Sequence, residues 1–228
     1  MRKKELLKEL DQLFVIEIAN DSHLIYVDDI LDNISNAAQI RGTGIAKRSP
    51  EYIGTKILEG KAIIALKEKK FAGFCYIESW EYQNFAANSG LIVVEEFRGI
   101  GLAKKIKRKA FELSKRKFPN AKLFGLTTSL AVMKINSDLG YKPVTFSELT
   151  KNDDFWNGCK SCVNHDILMR TNRLNCLCTA MLYDPSWERN RKSVKSLVES
   201  KNDGNGKWMR FRQQLTKIRN NIKPDNKK

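Results

Sequence analysis

Three strand-like runs in succession feed one glycine-rich turn and a long amphipathic helix, and few folds accommodate that order. The runs are Lys61 to Leu66, Phe71 to Trp80 and Phe85 to Val94, divided by tight turns at Lys69-Lys70 and Gln83-Asn84. The last run passes through Glu95-Glu96-Phe97 into Arg98-Gly99-Ile100-Gly101-Leu102-Ala103 and a helix over Gly99 to Lys117. In that helix Leu102, Ile106, Ala110, Phe111 and Leu113 form an apolar stripe, and the opposite face is mostly Lys and Arg. Upstream, Phe14 to Ala19 predicts a first strand, Asp21-Ser22 the cap of a helix to about Ala38, and Ser49-Pro50-Glu51 the start of a second helix ending near Gly60. Downstream, Leu123 to Thr127 predicts a buried strand, Leu130 to Leu139 a helix and Tyr141 to Phe146 another strand. The order β-α-α-β-β-β-α-β-α-β specifies an α/β chain built on a mixed sheet with helices on both faces. Residues 151–183 follow as a cysteine-bearing appendage, with a last strand expected at Asp166 to Arg170.

The turn is the strongest functional signal. Small residues at Gly99, Gly101 and Ala103 let a ligand approach the backbone, and amides at a helix N-terminus suit a diphosphate. Lys104, Lys105 and Lys107 add a screened attraction for a further phosphate. A dinucleotide fingerprint would place its glycines at an early strand of a βαβ unit, whereas here they follow three consecutive strands.

Arg98 to Ala103 and this strand order resemble the GNAT superfamily of N-acetyltransferases, over about residues 13–170. The resemblance implies a GNAT-like acyl-CoA N-acyltransferase fold. It also implies acetyl-CoA or succinyl-CoA on Arg98, Gly99, Ile100, Gly101, Leu102 and Ala103, with the pantetheine arm along Leu91, Ile92 and Val93. Two further segments, Gly44 to Ile53 and Leu126 to Val144, are similar to the acetyltransferase domain of N-acetylglutamate synthases. That similarity implies L-glutamate as acceptor, in arginine biosynthesis. Two carboxylates then need cations, and Lys47, Arg48 and Lys160 stand at the matching segments, with Thr127 and Thr128 as further acceptor contacts. Lys47 and Arg48 read equally as the solvated charges of a loop. Protein or ribosomal-protein N-acyltransfer is the alternative activity.

N-acylation needs a neutral amine, so a carboxylate base is expected, and Glu78 and Glu81 at the end of the third strand, Phe71 to Trp80, are its candidates. Both also read as solvated strand-end carboxylates. GNAT enzymes commonly carry an acid Tyr at the position that Asn136 occupies ahead of Gly140-Tyr141, so the usual proton donor is missing from this chain.

Cys159-x2-Cys162 and Cys176-x-Cys178 offer four thiols, enough for a structural zinc site; unligated core or redox thiols are the other reading. The net charge of +15 is concentrated at one end: residues 186–228 hold 13 Lys and Arg against 4 Asp and Glu. With Trp187 and Trp208 interleaved, this basic tail is compatible with a nucleic-acid partner or with docking on the parent domain or a second copy, as in a homodimer; a solvated tail is the simplest reading. Residues 1–12 predict a short charged helical extension. No run reaches the ~18 apolar residues of a membrane span and none resembles a secretory leader, so a cytoplasmic setting with no membrane partner is expected.

Overall fold

The computed structural model describes residues 13–41 and 48–188. The expected N-terminal extension, Lys47 and nearly all of the basic tail lie outside the described residues. The contacts divide the chain into Met1–Asp184 and Pro185–Lys228, and of the second unit only 185–188 are described, as helix.

The first unit is a seven-stranded sheet in the order β1-β2-β3-β4-β5-β7-β6. Its strands are β1 (Val15–Ile18), β2 (Ala62–Lys67), β3 (Lys70–Trp80), β4 (Phe85–Val93), β5 (Lys122–Thr127), β6 (Lys142–Val144) and β7 (Thr179–Tyr183). All neighbours run antiparallel except β4 and β5. Helices α1 (Val27–Arg41) and α2 (Pro50–Leu58) precede β2, α3 (Leu102–Lys117) joins β4 to β5, and α4 (Leu130–Asp138) joins β5 to β6. Two short helices, α5 (Asp153–Asn157) and α6 (His165–Arg170), lie between β6 and β7.

The sheet separates two cores. Ile30, Ile34, Ile53 and Ile57 from α1 and α2 pack with Ile64, Phe74 and Ile92 on one face. On the other, Leu102, Ile106, Ala110, Phe111 and Leu113 of α3 pack with Ile63, Cys75, Ile77 and Leu123. The apolar stripe expected of the long helix is therefore the stripe that is buried. Local chemistry sets the helix starts. Ser49 accepts from the Tyr52 amide with Pro50 at the first helical position, and Ser129 caps α4 by accepting from Val132. At α1 the cap moves upstream: Asn20 accepts from Ser22 while His23 accepts from the Asn20 amide, opening a 3-10 turn over Asp21–Tyr26.

One expected strand is corrected. Asp166 to Arg170 is helical, within α6, and the last strand is Thr179–Tyr183. A run as short as Ile167-Leu168-Met169 does not distinguish helix from strand by pattern. What decides is that the edge of β5 opposite β4 is filled by β7, all five of whose residues pair with it. The cysteine-bearing segment is thus no simple appendage, since its final residues lie inside the sheet.

Candidate active site

The parallel pair β4 and β5 separates early. Phe85, Ala86 and Ala87 pair with Lys122, Leu123 and Phe124, and no pairing continues although both strands do. A cleft of about 530 Å³ opens at this point, lined by Asn88, Ser89, Gly90 and Leu91 from β4 and by residues 124–129 opposite. Gly90 sits at φ +61, and a Cβ there would stand 2.3 Å from the Tyr76 ring. The glycine, together with a register shift in β3 between Phe74 and Tyr76, turns the edge of β4 toward the cleft.

One wall is a polar network on β3 and α2. Arg48 Nε donates to the Tyr76 hydroxyl at 2.8 Å, its guanidinium lies 4.9 Å from the Tyr52 ring centre, and Nη2 is 3.6 Å from Glu78. The Tyr52 hydroxyl donates to Glu78 in a short hydrogen bond. Burial, then the adjacent Glu78, pushes the Tyr52 hydroxyl well above its ordinary pKa, and burial does the same for Tyr76. Burial works against the Arg48 charge, but Tyr76 and Glu78 outweigh it and its pKa is raised. Both tyrosines therefore keep their protons, Tyr52 donating to Glu78 and Tyr76 accepting from Arg48.

The floor and far wall come from elsewhere. Lys107 of α3 and Asn136 of α4 reach the cleft, and both are almost fully buried. Asn136 donates through Nδ2 to Met181 Sδ at 3.8 Å, while its Oδ1 has no partner among the described residues. Trp80, Phe124 and Phe155 pack with ring centres 4.8 to 5.6 Å apart, fixing α5 against the sheet. Behind them Cys159, Cys162, Cys176 and Cys178 line the same cleft as free thiols. Burial and its thiol neighbours push Cys159 up to about 11, and Cys178 up to about 12. Among the described residues no group of three or more His, Cys, Asp or Glu converges to hold a metal, so the expected structural zinc is not supported.

The glycine-rich turn follows the end of β4. Gly99 and Gly101 adopt φ +81 and +95, and Gly101 is the left-handed cap from which α3 starts. The amides of Gly99, Ile100, Gly101 and Leu102 donate to no group among the described residues, and nothing lies within 4 Å of a Cβ placed on Gly99. Open amides at the N-terminus of a sixteen-residue helix have the chemistry to receive an anion. Two of the three lysines expected to assist it do otherwise. Lys104 pairs with Asp138, and Lys107 points inward.

The cleft thus unites Arg48, Glu78, Leu91, Thr127, Thr128, Asn136 and the four cysteines. Ile92 is buried in the core, and Lys160, which is exposed, Val93 and the turn are absent from the cleft lining. Glu81 is also absent from its lining. Its carboxylate accepts from the Thr150 hydroxyl and the Lys151 amide, anchoring the chain after β6. Tyr52, Tyr76 and Asn88 are cleft residues that no motif marks, and Lys107, expected at the turn, lines the cleft instead; a polar residue within an apolar period reads as core until its neighbours are known.

By sequence the chain matches no protein-family model and no curated protein. By structure it superposes on N-acetylglutamate synthase from Neisseria gonorrhoeae complexed with coenzyme A and N-acetyl-glutamate, with a TM-score of 0.54 and 14% identity over 75% of this chain. A Mycobacterium tuberculosis protein in complex with CoA matches at 0.53 and 14% over 75% of this chain and 98% of its own. The chain has the fold of the GNAT acetyltransferases. A Salmonella typhimurium protein of this fold, solved with its cofactor acetyl-CoA, matches at 0.51 and 12% over 76% of this chain and 94% of its own. This chain spans 35% of the gonococcal enzyme's length.

Proposed function

We propose that this chain is an acyl-CoA-dependent N-acyltransferase acting on the amino group of a small acidic acceptor, L-glutamate first among them. The observation that supports it most directly is the early parting of β4 from β5 beside a turn with four undonated amides. A coenzyme with a diphosphate, an amide-bearing arm and a terminal thioester needs those features in that order: an anion cradle, an unpaired strand edge and an enclosed end. The fold supports acetyl-CoA as donor, and succinyl-CoA fits the same features.

In this reading Gly99 to Leu102 bind the diphosphate, and the edge of β4 from Ser89 to Leu91 binds the arm. Glu78 takes the proton from the acceptor ammonium, either directly or through water, so that the neutral amine attacks the thioester carbon. Tyr52 and Arg48 hold that carboxylate in place. Arg48, with its plane set by Tyr76 and Tyr52, and Lys56 beside the Tyr52 ring supply positive charge for the acceptor's carboxylates. The fold shared with a synthase solved with N-acetyl-glutamate supports a dicarboxylic acceptor, and such an acceptor would place the chain at the start of arginine biosynthesis.

The test is thiol release from acetyl-CoA and succinyl-CoA across a panel of amino acids, polyamines and basic peptides. Turnover with L-glutamate is the expected result. Turnover confined to peptides or polyamines removes the acceptor assignment, and absence of calorimetric affinity for CoA removes the acyltransferase.

A further inference from the structure

Lys107 bears a buried ammonium that the chemistry above leaves unused. It is 2% exposed, in the middle of the core face of α3, yet it lines the cleft. Its Nζ donates to the Asn88 carbonyl at 3.2 Å, and Asn88 is the first residue of β4 beyond the last pair shared with β5. The ammonium therefore sits at the apex of the splay. The titratable groups that face it are the Cys75 thiol from β3 and Tyr141, whose ring centre is 5.7 Å from Nζ. No carboxylate among the described residues pairs with it.

A buried cation without an anion is costly, and negative charge that develops beside it offsets that cost. An acyl transfer generates such charge. As the amine displaces CoA, the carbon–sulfur bond breaks and the electron pair stays on sulfur. Asn136, which lines the same cleft, has no proton of useful acidity to give. Burial also lowers the Lys107 pKa, which makes its proton easier to transfer.

We propose that Lys107 is the proton donor to the departing CoA sulfur. This rests on the acyltransferase reading above. The amine nitrogen bonds to the carbonyl carbon, the carbon–sulfur bond breaks, and a proton moves from Lys107 Nζ to sulfur. The new amide nitrogen sheds its surplus proton to solvent, and Lys107 regains one from solvent, so the cycle closes with free CoA thiol and acylated acceptor. The Cys75 thiol, pushed up to about 11 by burial, stays neutral and does not compete.

The full-length chain and its Lys107→Met variant, each saturated with CoA, distinguish the outcomes by the ultraviolet absorbance of the CoA thiolate as pH is raised. An ammonium in contact with a thiol favours the thiolate, so the wild-type complex should titrate about one unit or more below free CoA, and the variant at or above it. Turnover of acetyl-CoA with L-glutamate should fall about 10²- to 10⁴-fold in the variant while CoA affinity stays within about tenfold. A lysine that only braces Asn88 would alter affinity and leave the thiol titration unmoved. If both proteins bind CoA and their thiols titrate alike, the assignment of Lys107 is wrong and the acyltransferase stands. If the wild-type chain does not bind CoA, both fall together.

Discussion

Two glycines with the same backbone sign serve different ends, and their substitutions separate stability from binding. Gly90 needs its positive φ and also the missing Cβ, because the Tyr76 ring occupies that space at 2.3 Å. Gly90→Ala should combine left-handed strain of about 1–2 kcal/mol with overpacking of about 1–3 kcal/mol, seen as a lowered urea midpoint. Gly99 also has positive φ but opens onto empty space, so Gly99→Ala should incur only the strain, about 1–2 kcal/mol, and lose CoA affinity by calorimetry. Equal stability losses would show that Tyr76 yields to the Gly90 methyl. Both glycines of the turn stand out in the sequence because their spacing has a chemical meaning. Gly90 does not, since its clash is with a residue fourteen positions away on another strand. The cleft thiols permit a second residue-level test. Cys159 and Cys178 are pushed up to about 11 and about 12 from an ordinary 9.0, so the folded chain retains protons that the unfolded chain releases. Their contribution to stability is complete below pH 9.0 and is lost as pH rises through about 11. At pH 8 to 9.0 iodoacetamide should therefore label both more slowly in the native chain than in urea, as read by peptide mass spectrometry; equal rates would mean that the fold does not protect them.

At the level of elements, the splay depends on a small buried network that binds β4 to α3. Asn88 Nδ2 donates to Ser114 Oγ at 2.6 Å, Ser114 donates to the Ala110 carbonyl at 2.8 Å, and the Tyr141 hydroxyl donates to Asn88 Oδ1 at 3.3 Å. Asn88→Ala removes a partner from two buried hydroxyls, and the expected loss is about 2–4 kcal/mol in denaturant unfolding. Tyr141→Phe removes one longer bond and should lose about 1 kcal/mol. A Tyr141→Phe loss as large as that of Asn88→Ala would contradict the network as described. This network also shows where sequence reading stops. The ten-element order from β1 to β6 follows from period and turn chemistry, and it is observed with boundary shifts of a few residues. Asn88, Ser114 and Lys107 interrupt otherwise apolar positions, and only their meeting across α3 and β4 gives them a role. Arg48 is legible as a cation in a matching segment and Glu78 as a strand-end carboxylate. Glu81 is equally so, yet β3 ends at Trp80 and the residues after it, at φ +52, +54 and +70, swing its carboxylate to Thr150.

For the whole molecule, the chain's limits follow from β7 rather than from the motif-bearing region. A domain ending near residue 170, as the resemblance alone suggests, would omit the partner of β6 and the long antiparallel partner of β5. It would also remove Ala180, Met181, Leu182 and Tyr183, all of them buried, and the edge-to-face contact of Tyr183 with Phe111 at 4.9 Å. At about 1.5–3 kcal/mol for each large apolar side chain, the loss from Met181, Leu182 and Tyr183 alone is comparable with the ~5–15 kcal/mol that keeps a typical domain folded. A chain of residues 1–184 retains all seven strands and the entire cleft. It should unfold in a single urea transition and bind CoA, whereas residues 1–170 should show neither a cooperative transition nor CoA affinity. The physical ground is topological: β7 is last in sequence but next to last in the sheet, so every earlier element on that side waits for it. Cooperative unfolding of the 1–170 chain at the midpoint of the 1–184 chain would mean that β5 and the α3 face are stable without it.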